Sequence, residues 1–231
     1  MIYDYTDKLY RQYARKMVRV FNSLNRELQA LPFDELNARS GYKEVSGRVK
    51  KAYKTLYDEL IDILILMALA AFITDLPTVT KYGKTTVKYY IGKEDGFRKE
   101  KTFDAEEFVA DYLATDNYVT LYIFNNEYER KLQRAIEEIL ASTNKSEVKK
   151  AIDKAMKYWN RQAKQAGDNI TDEAYIEGLK AAGVKRVRWI TMEDERVCPK
   201  CGAKDGKIFD IDKIYQPLHY NCRCTLEIID K

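Results

Sequence analysis

The chain has 231 residues, of which 45% are hydrophobic and 33% are charged, a composition that supports a buried core and argues against generic disorder. Its 40 lysines and arginines nearly balance its 36 aspartates and glutamates, so charge alone does not indicate a nucleic-acid-binding protein. The ten glycines and four prolines are too few for the many tight turns of a β-sandwich or barrel, and the composition favours long helices.

The sequence shows neither a secretory signal nor a membrane span. The N-terminal residues lack the apolar core of an export signal. The longest apolar run, residues 63–73, is much shorter than the roughly 20 residues that a bilayer span requires. We therefore interpret this run as a buried core helix and expect a soluble, intracellular protein without a membrane partner.

Two long helices are predicted in the first third of the chain. Apolar residues recur every three or four positions over residues 3–30, which is the spacing of one helix face, and Pro32 ends the pattern. A second helical stretch over residues 42–75 begins amphipathic, becomes apolar all round and closes at Pro77. Its apolar part is expected to be buried.

Residues 78–102 interrupt the helical pattern. They are rich in Thr, Val and Tyr, and their glycines and the Asp95-Gly96 pair are turn signals. The segment therefore predicts a β-hairpin or loop. Because it is basic and aromatic it could touch nucleic acid, although an exposed loop or a protein contact is the simpler interpretation.

Helical periodicity resumes after this insertion. Asp104 is placed to cap a helical region over residues 104–141, which is either one helix or two helices separated near Asn117. Asn144 and Glu147 lie three residues apart and form a capping pattern, which predicts the start of another helix.

The helix that begins there is predicted over residues 145–166. A shorter helix follows over 170–182, capped by Thr171 and stopped at Gly183. Residues 185–191 then alternate between polar and apolar and predict a strand.

One face of the predicted helix 145–166 is basic. Its residues are spaced by three and four positions: Lys150, Lys154, Lys157, Arg161 and Lys164. We call this row the basic stripe. It is interpreted either as a solvated face or as a contact with phosphates or with an acidic protein surface.

All four cysteines and the only histidine fall within a window of 27 residues. These candidate metal ligands are Cys198, Cys201, His219, Cys222 and Cys224. The pattern C-x2-C-x17-H-x2-C is close to known zinc spacings, and a C-x2-C turn followed by glycine aims two thiolates at one point. Cys224 can replace His219 in a four-cysteine site, and a segment without stable metal is a third possibility. Paired disulfides are disfavoured because no export signal is present.

Four good ligands leave no open coordination position, which favours one structural Zn²⁺ over a catalytic ion. A small segment cannot build much core, so the metal would supply much of its folding energy. The single histidine leaves no free imidazole for a Ser-His or Cys-His pair, and no phosphate-binding glycine loop is present. We therefore do not expect an enzyme.

The sequence predicts a mainly α protein. A helical body over residues 1–183 carries the hairpin-like insertion at 78–102, and a small, metal-stapled α+β domain with a zinc knuckle occupies 184–231. This domain resembles the C-terminal signature of the phage head morphogenesis (minor head or minor capsid) protein family. The shared pieces are Trp189-Ile190-Thr191, Asp194, the CPKC beginning at Cys198, the DGK beginning at Asp205 with Phe209, Pro217, and the HxxCRC of His219 to Cys224. Tyr220 stands where the family usually has Pro.

The resemblance implies a low-copy virion component inside the capsid or close to the portal, present in the host cytoplasm during assembly. It implies portal and capsid or scaffold proteins as partners, with DNA as a further candidate, and an assembly role without a reaction. A zinc-dependent nucleic-acid-binding regulator and a nuclease are the alternatives.

Overall fold

A computed structural model describes residues 2–32, 39–77, 79–94, 97–114, 126–214, 216 and 222–230. Helix α1 spans Ile2–Gln29 and α2 spans Arg39–Ile73, which confirms the two predicted N-terminal helices. The apolar end of α2 is largely buried, as its sequence predicts, and Leu64 and Ala68 have no exposed surface. No helix in the described part of the chain is long and apolar enough to cross a membrane.

The predicted hairpin is a three-stranded antiparallel sheet with the order β1-β2-β3. Its strands are β1 (Val79–Tyr82), β2 (Thr86–Glu94) and β3 (Phe97–Asp104). The predicted Asp95-Gly96 turn lies outside the described residues. Strand β1 is the strand that the hairpin prediction lacked. It is short and mostly exposed, so its sequence shows little apolar alternation.

The structure describes two helices between the sheet and residue 141. They are α3 (Ala105–Ala114) and α4 (Asn126–Leu140), and the predicted break near Asn117 lies outside the described residues. The Asp104 carboxylate caps α3 as predicted, because it accepts hydrogen bonds from the backbone N–H groups of Glu106 and Glu107 at 2.9 and 3.2 Å.

One continuous helix, α5, spans Lys145–Ala181, so the prediction of two helices divided before Ile170 was wrong. The Thr171 hydroxyl donates to the carbonyl oxygen of Gly167 at 2.8 Å, a bond made inside a helix, instead of capping a new one. The start of α5 is capped as predicted, since Glu147 N–H donates to the side-chain oxygen of Asn144 at 3.0 Å. Gly183 follows the helix with φ of +83° and completes the predicted stop.

A second antiparallel sheet, with the order β5-β4-β6, forms the C-terminal region. Its strands are β4 (Arg186–Ile190), β5 (Ile208–Asp210) and β6 (Thr225–Asp230), and β4 is the strand predicted there. The single helical turn α6 (Pro199–Gly202) and a 3₁₀ turn at Ile211–Lys213 lie between strands. The mainly α architecture with a small C-terminal α+β region is thus confirmed.

The chain divides into two compact units. The first comprises residues 1–6, 64–112 and 167–231, and the second comprises 7–63 and 113–166. We call them the cysteine unit and the helical unit. The division into domains 1–183 and 184–231 stays a prediction.

Each unit has its own core. In the cysteine unit, Val187 and Trp189 of β4 are fully buried, together with Leu179 of α5. In the helical unit, the indole N–H of Trp159 donates to the Tyr13 hydroxyl, which donates to the carbonyl oxygen of Leu56 at 3.1 Å. Burial raises the pKa of Tyr13 far above its usual range, so this hydroxyl stays protonated and can donate.

Candidate metal centre

The first pair of cysteines is fixed by the helical turn α6. Cys198 lies just before the turn with an extended backbone, and its sulfur accepts the backbone N–H of Cys201 at 3.4 Å. Pro199 occupies the first helical position, where no N–H is needed. The turn places Cys201 inward with 2% of its surface exposed.

The second pair lies on the segment that leads into β6. The sulfurs of Cys201, Cys222 and Cys224 all lie within 4.8 Å of one another, and those of Cys201 and Cys222 are 3.8 Å apart. Two thiolates on one tetrahedral Zn²⁺ with bonds of about 2.3 Å would be separated by about 3.8 Å. None of the four cysteines forms a disulfide. The three sulfurs could therefore hold a metal ion.

The electrostatics of the thiols differ across the cluster. Burial raises the pKa of Cys201 well above its usual range, and burial also raises that of Cys224. At the rim, the N–H of Cys201 lowers the pKa of Cys198 by hydrogen bonding to its sulfur. Without a cation the inner thiols remain protonated, and a bound divalent ion would supply the positive charge that thiolates need.

Trp189 closes the inner side of the cluster. Its indole ring is fully buried, and Nε1 has no hydrogen-bond partner among the described residues. The ring lies on β4 beside the Cys224 thiol, and this N–H opposes the effect of burial on the pKa of Cys224. A buried N–H beside a thiol is suited to a thiolate, which accepts hydrogen bonds more strongly.

The DGK segment attaches the loop after α6 to β4. The Asp205 carboxylate accepts the backbone N–H of Thr191 at 2.8 Å, and the backbone N–H of Gly206 donates to the carbonyl oxygen of Trp189 at 2.8 Å. Gly206 has φ of +69°, a conformation that favours glycine. These bonds hold Trp189 in register with the cysteine-bearing loops.

The region that contains this centre was compared with known protein families. Residues 127–227 match the model described as phage Mu protein F like protein, a head morphogenesis family. The chain carries a phage Mu F-like region. It begins in α4, contains all of α5 and ends in β6, so it includes the four cysteines. The predicted resemblance to phage head morphogenesis proteins is confirmed over this region.

Searches of curated proteins and of solved structures each found no significant match.

Within the F-like region the structure brings together three of the five predicted ligands, with Cys198 adjacent to them through the N–H of Cys201. The fifth, His219, lies outside the described residues. Sequence analysis preferred His219 to Cys224 because the H-x2-C spacing mirrors the first pair, and it kept Cys224 as the alternative ligand of a four-cysteine site.

The basic stripe of the F-like region belongs to the helical unit, whereas the cysteine cluster belongs to the cysteine unit. Its first four members are exposed, and Lys164 is half-buried. Lys154 pairs with Glu138 of α4 at 2.6 Å, and Lys164 pairs with Asp7 at 3.4 Å. Sequence analysis missed Lys131 and Arg134 of α4, which line the same groove as Lys154. These two residues lie on a different helix, so helical periodicity along α5 could not associate them with the stripe.

Proposed function

We propose that this chain is a phage minor head protein, a low-copy structural component of the virion that acts in head assembly near the portal. The observation that carries the proposal is the family match over residues 127–227, because it extends from α4 to β6 and includes the complete cysteine set. Portal and capsid or scaffold proteins are the proposed partners, since assembly at this position brings a minor component against them.

We propose further that the cysteine cluster holds one structural zinc ion. Cys201, Cys222 and Cys224 supply three ligands, and Cys198, whose sulfur accepts the N–H of Cys201, supplies the fourth. A bound ion would tie the turn at 198–201 to the segment at 222–224 and so contribute folding energy. The sulfur separation of 3.8 Å and the donor set of thiols both suit zinc.

The proposed role is non-catalytic. The chain has one histidine, next to the cysteine segment, so no second imidazole is present to serve as a general base. Four thiol ligands would also leave no coordination position for water, which a hydrolytic zinc site requires. The function of the cluster is then to shape a docking module.

The proposal is tested by inactivating the gene in its phage and purifying the particles made after induction. We expect infectious titre to fall sharply, and complementing protein to be recovered in purified heads at low copy by quantitative mass spectrometry. Complementation with Cys201→Ser is expected to fail, whereas the exposed Lys51→Ala restores titre. Normal titre without the protein, or its absence from heads, would overturn the assembly role.

A parallel assay separates the other classes of function. Purified, metal-loaded protein is incubated with duplex and single-stranded DNA, and we expect neither cleavage nor a sequence-specific footprint. Metal-dependent cleavage that is lost in Cys201→Ser would establish a nuclease instead, and a footprint would establish a regulator.

A further inference from the structure

A concave surface in the helical unit carries a concentration of positive charge. It lies between α4 and α5 and is backed by Tyr53 of α2, with a cavity of about 340 Å³. We call it the basic groove. Five basic side chains and one carboxylate line it: Lys131, Arg134, Lys154, Lys157, Arg161 and Glu138. We infer that the basic groove binds an acidic amphipathic helix of a partner protein.

The positive charge of the basic groove is only partly compensated. Among the described residues of its lining, Glu138 is the one carboxylate, and it is shared between Arg134 at 3.1 Å and Lys154 at 2.6 Å. The Lys154 ammonium lowers the pKa of Glu138, so this carboxylate is ionised at neutral pH. Lys157 is exposed and has no ion-pair partner in the described part of the chain. A partner that brings carboxylates would therefore find an uncompensated cation at Lys157.

Two of the cations lie against the same aromatic ring. Lys131 Nζ lies 4.5 Å from the centroid of the Tyr158 ring, and the guanidinium carbon of Arg161 lies 5.6 Å from the same centroid. The ring attracts each cation and so helps to hold both side chains in the lining of the groove.

The floor of the groove is apolar. Ala135 and Ala151 are buried there, Ala155 is half-buried, and Tyr53 is 2% exposed. Small residues at the bottom of a groove leave room for an inserted side chain, and a helix with one apolar face supplies such side chains at every turn. The combination of apolar floor and basic rim thus matches a helix that is apolar on one face and acidic at its edges.

The dimensions agree with a helical occupant. The pairs Glu138–Lys154 and Lys131–Tyr158 show that α4 and α5 run antiparallel, as their short connection requires. The lining residues of α5 extend from Ala151 to Arg161, a length of about 15 Å at the rise of an α-helix. That length accommodates about three turns of a third helix.

Nucleic acid fits the same surface less well. Single strands bind by stacking bases on exposed aromatic faces. The two aromatic residues of the lining offer none, because Lys131 and Arg161 lie over Tyr158, while Tyr53 is buried in edge contacts with Trp159 and Phe21. A duplex presents phosphates on a convex surface and has no apolar side chain to enter the cavity.

The test uses the full chain and a fluorescein-labelled peptide of about three helical turns, with leucines at i, i+3, i+4 and i+7 and glutamates elsewhere. Fluorescence anisotropy is expected to show saturable binding. The exposed double variant Lys157→Glu/Arg161→Glu is expected to bind at least about tenfold more weakly. The matched control Lys50→Glu/Lys51→Glu makes the same change in net charge on exposed positions of α2 outside the groove, and it should bind like the wild type.

Further arms separate charge from shape. A scrambled peptide of the same composition should bind much more weakly, and Ala155→Phe, which fills the floor without changing charge, should weaken the amphipathic peptide alone. Equal binding of both peptides, or tighter binding of single-stranded or duplex DNA with the same dependence on Lys157 and Arg161, would overturn the inference. The cysteines do not line the basic groove, so a negative peptide-binding result would not affect the proposals of a metal site and an assembly role, which have separate tests.

Discussion

Arg223 donates two hydrogen bonds to the carboxylate of Asp194, at 2.6 and 2.8 Å, and thereby joins the loop before α6 to the segment that carries Cys222 and Cys224. The same carboxylate accepts the backbone N–H of Arg196 at 3.0 Å. The hydrogen bonds from Arg223, and to a smaller extent the one from the Arg196 N–H, hold the pKa of Asp194 well below its usual range. The pair is therefore ionised at neutral pH.

We predict that this ion pair positions the ligands of the metal centre. Arg223→Ala should lower zinc affinity about tenfold, because the segment between Cys222 and Cys224 would lose its bond to Asp194. The zinc affinity of Arg223→Lys should lie between those of the wild type and Arg223→Ala, since lysine keeps the charge without the paired hydrogen bonds. Competition with a chromogenic chelator measures the affinity. Arg188→Ala, which removes an exposed pair with Glu227 on the sheet, is the control. Equal affinity in Arg223→Ala and Arg188→Ala would contradict the prediction.

The choice between Cys224 and His219 as a ligand is a separate question. We predict that Cys224→Ser loses the absorption bands of thiolate-bound Co²⁺ and that His219→Ala retains them, because the Cys224 sulfur lies within 4.8 Å of those of Cys201 and Cys222. Adding a chelator should lower the melting temperature of the wild type and leave Cys201→Ser unchanged. The reverse result for Cys224 and His219 would restore the site with the histidine ligand.

Two glycines in long helices are predicted to respond in opposite directions to replacement by alanine. A Cβ at Gly178 of α5 would lie 2.1 Å from the carbonyl oxygen of Phe72, so Gly178→Ala should destabilise the fold by about 3 kcal/mol or more. Gly47 of α2 has nothing within 4 Å of the same position, so Gly47→Ala should stabilise by about 0.5–1 kcal/mol. Urea unfolding measures both, and a shift in the same direction would refute the packing described for Gly178.

Glu173 predicts a pH dependence of stability. Burial, with the neighbouring Glu177 carboxylate, raises the pKa of Glu173 to about 7 from an ordinary value of 4.5. The folded state then binds more protons than the unfolded state between these values, so stability is full at the acidic end and falls as pH rises to about 7. The loss amounts to about 3 kcal/mol at most.

The variant Glu173→Gln should flatten this decline and raise the melting temperature at pH values above the window. Glu107→Gln, an exposed carboxylate in α3 of the same unit, is the matched control and should leave the slope unchanged. An unaltered slope in Glu173→Gln would show that another group titrates.

Local patterns predicted the helices and their caps because the necessary signals lie within a few residues of each other, as at Asp104 and Asn144. The break before Ile170 was wrong for a tertiary reason. Gly167 is followed by Asp168 and Asn169 and so resembles a helix end. A Cβ there would come 2.8 Å from the Met67 side chain, so the glycine allows close packing inside a continuous helix. The contact between Gly167 and Met67 joins two different helices, so a single sequence does not indicate it.

The candidate site shows the same limit. The C-x2-C turn was predictable because its two thiols belong to one helical turn. The choice between His219 and Cys224 depends instead on how the second cysteine segment folds back onto that turn, and Cys201 and Cys222 are 21 residues apart in the sequence. The Asp194–Arg223 pair spans 29 residues and carries no spacing rule. Long-range pairings of this kind require the fold.

The chain has two tryptophans, and the fold places one in each compact unit. Trp159 lies in the aromatic core of the helical unit, and Trp189 lies against Cys224 in the other. Intrinsic fluorescence of Trp159→Phe would therefore report on the cysteine unit alone, and a paramagnetic ion such as Co²⁺ seated there would quench that emission. The complementary variant Trp189→Phe would follow the helical unit, so the unfolding of each half could be timed without any external label.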